Sequence, residues 1–301
     1  MIHPHLLPPD LPAARVRACV GLIADTHMPE RWPALPDAVF AVFAGLDLIL
    51  HAGDVGELWV LDQLSRCAPV VAVHGNDDSR DSQRELPYQQ VVTVAGQRIL
   101  LWHSHYPDRV DEMESRRSDE IIPKLARSVQ RAQRAGAAVA VFGHWHLPLV
   151  YADQGVLVVN PGALASGNGF MRQLRQTVAL LLIVDDGSLR VRHVDLARPH
   201  ESYAMSPLVK DPGFAAALCE YNAMILEPAL AAHSAAINRR LGALGYDKTL
   251  PALLRVAHRC WAGAQEWITH ADWVAEVTND PDLSPSVRAE YLALLRDVAR
   301  E

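Results

Sequence analysis

Short apolar runs alternate with polar clusters through the first two hundred residues. Cys19–Ala24 is a compact apolar run closed by Asp25, and Leu46–Leu50 repeats it, ending at His51-Ala52-Gly53-Asp54. Val70–Val73 is rich in β-branched residues and ends at His74-Gly75-Asn76-Asp77. Between the second and third runs, Glu57–Arg66 carries Leu58, Leu61 and Leu64 at helical spacing. Strand-length runs bounded by turn residues, with helical spacing between them, predict βαβ units whose polar loops follow the strand ends.

The middle of the chain predicts a hairpin, Gln90–Val94 and Arg98–Trp102 around Ala95-Gly96-Gln97. A helix is expected over Ile121–Ala135, with Pro123 in its first turn and Gly136 as its C-terminal cap. Arg127, Arg131 and Arg134 fall on one face of it, expected to be solvated. Strands are expected over Ala137–Phe142, ending at Gly143-His144-Trp145-His146, and over Val156–Val159, ending at Asn160-Pro161-Gly162. Thr177–Val184 and Leu189–Val194 flank the turn Asp185-Asp186-Gly187-Ser188.

Beyond the proline-punctuated stretch from Ala197 to Pro212, alanine and leucine take over. One or two helices are expected over Phe214–Leu244, broken by Pro228, one over about Leu250–Val277, and a last over Pro285–Arg300. Trp261, Trp267 and Trp273 fall on different helix faces and are expected in a core. The resulting plan is an N-terminal extension (1–17), a sheet-rich domain (18–197), a linker (198–212) and an α-helical C-terminal region (213–301).

Bulk properties narrow the class. The chain has 301 residues, half of them hydrophobic, enough for a full core and an appendage. A net charge of −7 gives no strong general affinity for nucleic acid. Runs such as Val178–Val184 are too short to span a membrane. Four cysteines without a CxxC pair read as reduced, buried thiols. A cytoplasmic protein is expected, with the C-terminal helices as the surface for any homo-oligomer.

The polar clusters carry the chemistry. Asp25 and His27, two residues apart at a strand end, would point to the same side of the pleat and grip one metal ion. Asp54 has two carboxylate oxygens and can bridge two ions. Asn76 offers a neutral amide oxygen. His103, His144 and His146 offer imidazoles suited to Mn, Fe, Zn, Co or Ni. Two such ions can share a hydroxide and clamp a phosphate, so no side-chain nucleophile is needed. The chain has neither a Gly-x-Ser-x-Gly elbow nor a P-loop. Arg172, beyond the Asn-Pro-Gly turn, is a substrate-binding candidate by position, and the loop Ser79–Glu85 offers Arg80 and Arg84 with a weaker claim.

The set Asp25-x-His27, Gly53-Asp54, Gly75-Asn76-Asp77-Asp78, His103-Ser104-His105 and Gly143-His144-x-His146 resembles the calcineurin-like metallophosphoesterases. His51-x-Gly53-Asp54 and Asn160-Pro161-Gly162 resemble more narrowly the compact bacterial and archaeal phosphodiesterase branch that includes the Vps29-like fold. The resemblance covers residues 18–197. It implies an α/β fold, a four-layer α/β/β/α sandwich, and a phosphate-ester substrate. It also implies two divalent ions (Mn, Fe, Zn, Ni or Co, with Mn favoured) and a metal-bridging hydroxide as nucleophile. Asp25, His27, Asp54 and His146 would bind the first ion. Asp54 as bridge, with Asn76, His103 and His144, would bind the second, His105 competing for the place of His103. Many family members carry a histidine where this chain has Asp77, and that histidine protonates the leaving group. Here Asp78 takes the usual acidic place and His105 becomes a candidate acid. The catalytic set is then Asp54, Asn76, Asp78 and His105, with Asn76 and Arg172 toward substrate. Loss of the histidine leans toward phosphodiesters. The alternatives are a phosphomonoesterase, acting on nucleotides or phosphoproteins, and a non-catalytic Vps29-like scaffold that binds proteins.

Overall fold

The computed structural model describes residues 6–203 and 213–298. The start of the expected N-terminal extension (1–5), residues 204–212 of the expected linker and the end of the expected last helix at Arg300 lie outside the described residues. The chain divides into two compact units, Met1–Ala165 with Gln173–Tyr221, and Ser166–Arg172 with Asn222–Glu301.

The strands are β1 (Val16–Ile23), β2 (Leu48–His51), β3 (Val70–Ala72), β4 (Gln89–Val94), β5 (Gln97–Trp102), β6 (Val139–Val141), β7 (Leu149–Asp153), β8 (Val156–Asn160), β9 (Met171–Gln173), β10 (Thr177–Val184) and β11 (Leu189–Asp195). All of these except β9, whose Met171 and Arg172 belong to the second unit, lie in the first unit, with helices α1 (Asp37–Phe43), α2 (Trp59–Leu64), α3 (Arg80–Glu85), α4 (Arg109–Arg117), α5 (Ile121–Arg134) and α6 (Phe214–Cys219). Two five-stranded sheets form, in the orders β11-β10-β1-β2-β3 and β4-β5-β6-β8-β7. The β1–β2–β3 and β5–β6–β8 neighbours are parallel.

Alternation along each strand builds the layers. Cys19 and Ile23 of β1 pack with Val39, Phe43, Val60 and Leu64 of α1 and α2. Val20 and Leu22 turn the other way and pack with Ile99, Leu101, Val139 and Val141 of the second sheet. The outer face of that sheet, through Leu100, Trp102 and Ala140, packs with Leu125, Val129 and Ala132 of α5. Three apolar interfaces therefore separate four layers, helix, sheet, sheet, helix, as expected for the α/β/β/α sandwich. Leu6, Leu7 and Leu11 are buried in the first interface, so these three residues of the expected N-terminal extension belong to the core.

Several elements differ from expectation. Ser79–Glu85 is not a loop: Arg80–Glu85 is helical, with the Ser79 hydroxyl accepting from Ser82 N as N-cap. Helices α1 and α4 and strand β7 gave no reading in the sequence. Arg127 and Arg131 do not form a solvated stripe. Arg127 donates to the carbonyls of Ser104 and His105 and lies over Tyr106, and Arg131 donates to Gln89 and lies over Trp102. Long side chains here cover aromatic surface while their heads find carbonyl acceptors.

The second unit holds β12 (Asn222–Met224), α7 (Pro228–Ala231), α8 (Ser234–Leu244), α9 (Tyr246–Trp261), α10 (His270–Asn279) and α11 (Pro285–Val298). Phe214–Leu244 is thus three helices and a strand, and Pro228 starts α7, where its missing N–H costs nothing. The single helix expected over Leu250–Val277 is two: α9 ends before Gly263 (φ 75°), and Thr269 caps α10 by accepting from Asp272 N. Trp261 and Trp273 are buried, the latter donating to the Tyr291 hydroxyl at 2.9 Å, but Trp267 is exposed. All four cysteines are free thiols, and Cys219 is exposed, not buried. No helix among the described residues is long and apolar enough to cross a membrane.

Candidate metal centre

The C-terminal ends of parallel strands are where open α/β sheets collect functional loops. Here β1 leads to Asp25 and His27, β2 to Asp54, β3 to Asn76, β5 to His103, and β6 to His144 and His146. Asp25 and His27 are not paired by the pleat, because β1 stops at Ile23. Instead Asp25, His27, Asp54, His144 and His146 all lie in the left-handed region, with φ of 53°, 45°, 51°, 71° and 54°. Each costs on the order of 1 kcal/mol or more, a form of strain that clusters at functional sites. Loop curvature, not strand alternation, turns these side chains inward. Gly75 lets two of the loops meet, since a Cβ there would stand 2.1 Å from Asp54 Oδ1.

The side chains converge in three overlapping groups, Asp25 with His27 and His146, Asp54 with His103 and His144, and His27 with Asp54 and Asp77. His146 Nε2 lies 3.3 Å from Asp25 Oδ1, and His27 Nε2 lies 3.6 Å from Asp54 Oδ2 and 3.4 Å from His146 Nε2. His103 Nε2 is 3.1 Å from Asp54 Oδ2 and 3.9 Å from Asp25 Oδ1. Asp25, Asp54 and His103 are essentially inaccessible.

Carbonyl groups behind the rings select their tautomers. His103 Nδ1 donates to Ala52 O at 2.7 Å and His146 Nδ1 to Ala165 O at 2.9 Å, so Nε2 of each faces the carboxylates and is the nitrogen that presents a lone pair when the ring is neutral. A second hydrogen bond of this kind orients a metal-ligating imidazole and raises its basicity. His103 Nε2 and Asn76 Oδ1 are buried without a hydrogen-bond partner. A neutral amide oxygen, imidazole nitrogens and shared carboxylates form a donor set that fits divalent cations. These residues fit the metal centre expected of them.

The electrostatics agree. Burial alone would lower the His103 pKa, but Asp54 and Asp25 raise it to about 10. Burial alone would raise that of Asp25, yet His146, His103 and His144 hold it below its ordinary value. The carboxylates thus favour positive charge at the centre of the cluster. His27 is pushed well down by burial and by Arg31.

The other candidates have different surroundings. Both oxygens of Asp78 accept from backbone, Oδ1 from Gly56 N at 2.7 Å and Oδ2 from Gly75 N at 2.6 Å. Burial, reinforced by the Asp54 charge, moves its pKa up to about 6. His105 packs between the rings of Tyr88, His74 and His103, and burial, reinforced by the neighbouring histidines, pushes its pKa to about 3. Arg172 is exposed and belongs to the second unit. Arg80 and Arg84 are exposed, and Arg84 pairs with Asp81.

Three features were not legible in the chain. Glu112, on α4, accepts from His144 Nε2 at 2.8 Å. Arg31, buried four residues after His27, donates to Asp77 Oδ2 at 2.7 Å. Asn160 reaches across with its amide, Nδ2 donating to Gly143 O and Oδ1 accepting from Gly162 N, and so braces the His144 loop. A glutamate near the start of an exposed helix and an arginine two residues after a proline carry no motif signal, and Asn-Pro-Gly marks a turn without naming the loop it braces.

Residues 19–186 match the family model described as the calcineurin-like phosphoesterase superfamily domain. The chain is 33% identical over 144 residues to a Methanothermobacter thermautotrophicus protein named "Probable metallophosphoesterase", covering 48% of this chain and 76% of that one. It is 34% identical over 146 residues to a Methanocaldococcus jannaschii protein of the same name, covering 48% and 67%. Among solved structures, a conserved uncharacterized protein (predicted phosphoesterase) from Streptococcus pneumoniae superposes with a TM-score of 0.43 at 23% identity, covering 62% of this chain and 92% of that one.

Proposed function

Because the chain belongs to the calcineurin-like phosphoesterase superfamily, we propose that it hydrolyses phosphodiesters at a centre of two divalent metal ions, with Mn the favoured ion. The observation that carries this reading is the convergence of Asp25, His27, Asp54, His103, His144 and His146, with Asn76 Oδ1 and His103 Nε2 buried and unpartnered among them. Asp25, His27 and His146 would hold one ion, Asn76, His103 and His144 the other, and Asp54 both. When bound, such ions supply Lewis acidity toward phosphate oxygens and an activated water.

The protein's own groups do the rest. Ala52 O and Ala165 O keep His103 and His146 presenting Nε2, and Glu112 holds His144. Asp78 braces the Gly75 and Gly56 backbone and keeps the Asn76 loop against Asp54. Asp77 is held as a carboxylate: burial would raise its pKa, but the Arg31 guanidinium lowers it. His105 is neutral at physiological pH. Neither is placed as an acid for the leaving group, which favours substrates whose leaving group departs without one. The catalytic unit is taken as residues 18–197, with 213–301 an appended helical region.

The test is hydrolysis of bis-nitrophenyl phosphate beside nitrophenyl phosphate, with the protein stripped of metal and then supplied with Mn. Mn-dependent turnover that favours the diester is expected. Full activity in stripped protein, or a clear preference for the monoester, would overturn it.

A further inference from the structure

Asp77 stands beside the candidate metal centre with both carboxylate oxygens and its backbone N engaged. Its Oδ2 accepts from Arg31 Nη2 at 2.7 Å, its Oδ1 from Asn76 Nδ2 at 2.7 Å, and its backbone N donates to Asp54 Oδ1 at 2.8 Å. A carboxylate only accepts, so it selects the NH₂ end of the Asn76 amide. The other end, Asn76 Oδ1, is then turned away from Asp77, and it is buried with no hydrogen-bond partner.

We propose that Arg31 and Asp77 form a positioning clamp that fixes the Asn76 amide and presents its Oδ1 to the second metal ion. Arg31 supplies the anchor: its side chain is 8% exposed, and its guanidinium holds the otherwise more open Asp77 carboxylate in one place. Asp77 transmits that order to two candidate ligands, to Asn76 through its side chain and to Asp54 through its backbone. The residue that departs from the common family pattern thereby acquires a task other than proton donation. The clamp rests on the metal-centre reading. Asp77 also lies close enough to His27 and Asp54 to be a direct ligand itself, and the two roles differ in one respect. The side chain of a clamp acts only through Asn76, since the backbone bond from Asp77 N to Asp54 survives substitution, whereas a ligand acts independently of Asn76.

The experiment titrates metal-free full-length protein with Mn by calorimetry, with bound Mn counted by elemental analysis. Wild type, Asp77→Ala, Asn76→Ala and the double variant are compared. Loss of an outer-shell partner lowers metal affinity about 10–100-fold. That loss is expected at the weaker site in Asp77→Ala and again in Asn76→Ala. The double variant is expected to bind no more weakly than Asn76→Ala alone, the signature of two residues acting as one unit. Asp77→Asn, nearly isosteric and still able to accept one of the two bonds, serves if Asp77→Ala does not fold, and is expected to show a smaller loss in the same cycle. Additive losses in the cycle, or wild-type affinity in both Asp77 variants, would overturn the clamp alone. Wild-type protein that takes up no Mn overturns the metal-centre reading, and the clamp with it.

Discussion

Glu112 Oε1 lies 2.8 Å from His144 Nε2, and both side chains are almost entirely shielded from solvent. The same glutamate accepts from Tyr106 N at 2.9 Å and from Arg116. Burial would raise its pKa, but the hydrogen bond and charge of His144 hold it well below the usual carboxylate range. It therefore accepts a hydrogen bond from Nε2–H, which leaves Nδ1 of the neutral His144 ring as the lone-pair nitrogen. Helix α4 buries no residue of its own, so Glu112 is a principal tie between that helix and the site. Glu112→Ala is expected to weaken Mn binding about 10–100-fold while Glu112→Gln, which keeps an acceptor, loses less. Calorimetric titration decides it; equal, unaltered affinities would remove Glu112 from the centre.

Asp54 Oδ2 lies 3.1 Å from His103 Nε2 and 3.6 Å from His27 Nε2, so under the proposed bridging role its loss is felt on both sides of the centre. Asp54→Ala is expected to lower kcat/KM for a nitrophenyl diester by about 10³-fold or more, equivalent to about 4 kcal/mol of transition-state stabilisation. Bound Mn should fall in parallel. A variant with wild-type turnover would contradict its role.

Gly75 has no room for a side chain. A Cβ would stand 2.1 Å from Asp54 Oδ1 and 2.6 Å from Asp54 N. Gly75→Ala is expected to cost about 2 kcal/mol of stability, read by urea unfolding, and to weaken Mn binding because the loop must retreat from Asp54. Unchanged stability and binding would mean that the two loops part freely.

His193 sets a pH dependence away from the metal ligands. It is buried, with Nε2 donating to Asn160 O at 2.7 Å. Burial pushes its pKa down from 6.5 to about 4, against the opposing effect of that hydrogen bond. The unfolded chain therefore takes up a proton that the folded chain refuses. Stability is complete above pH 6.5 and declines as pH falls toward 4, by on the order of 3 kcal/mol from this group. His193→Gln, which retains a donor for Asn160, should flatten the stability curve across that window in urea titrations at stepped pH. Parallel curves would show that His193 does not contribute.

Metal removal should be visible in folding itself. An ion at a hundred times its Kd adds about 2.7 kcal/mol per site to the folded state, which raises Tm by about 5 °C in a domain of this size. Chelator should reverse the rise in wild type, and the rise should shrink in Asp54→Ala.

The chain's pattern alone was sufficient for the sheets and for the ligand types. Apolar runs such as Thr177–Val184 are buried along their whole length and leave little choice but strand, and each polar cluster that closes a run is a strand end. Local composition determines this much because burial and turn chemistry act on neighbours in sequence. What neighbours along the chain cannot encode is approach between loops. The left-handed turns at Asp25 and His27 depend on the loop they meet, Asp25 N donating to Gly53 O and His27 N to Asp54 O. The pairings of Glu112 with His144 and of Arg31 with Asp77 likewise join groups 32 and 46 residues apart. The sequence determined which groups gather at the strand ends. The tertiary structure decided which way each group faces, because orientation is set by acceptors and carbonyls delivered from elsewhere in the chain.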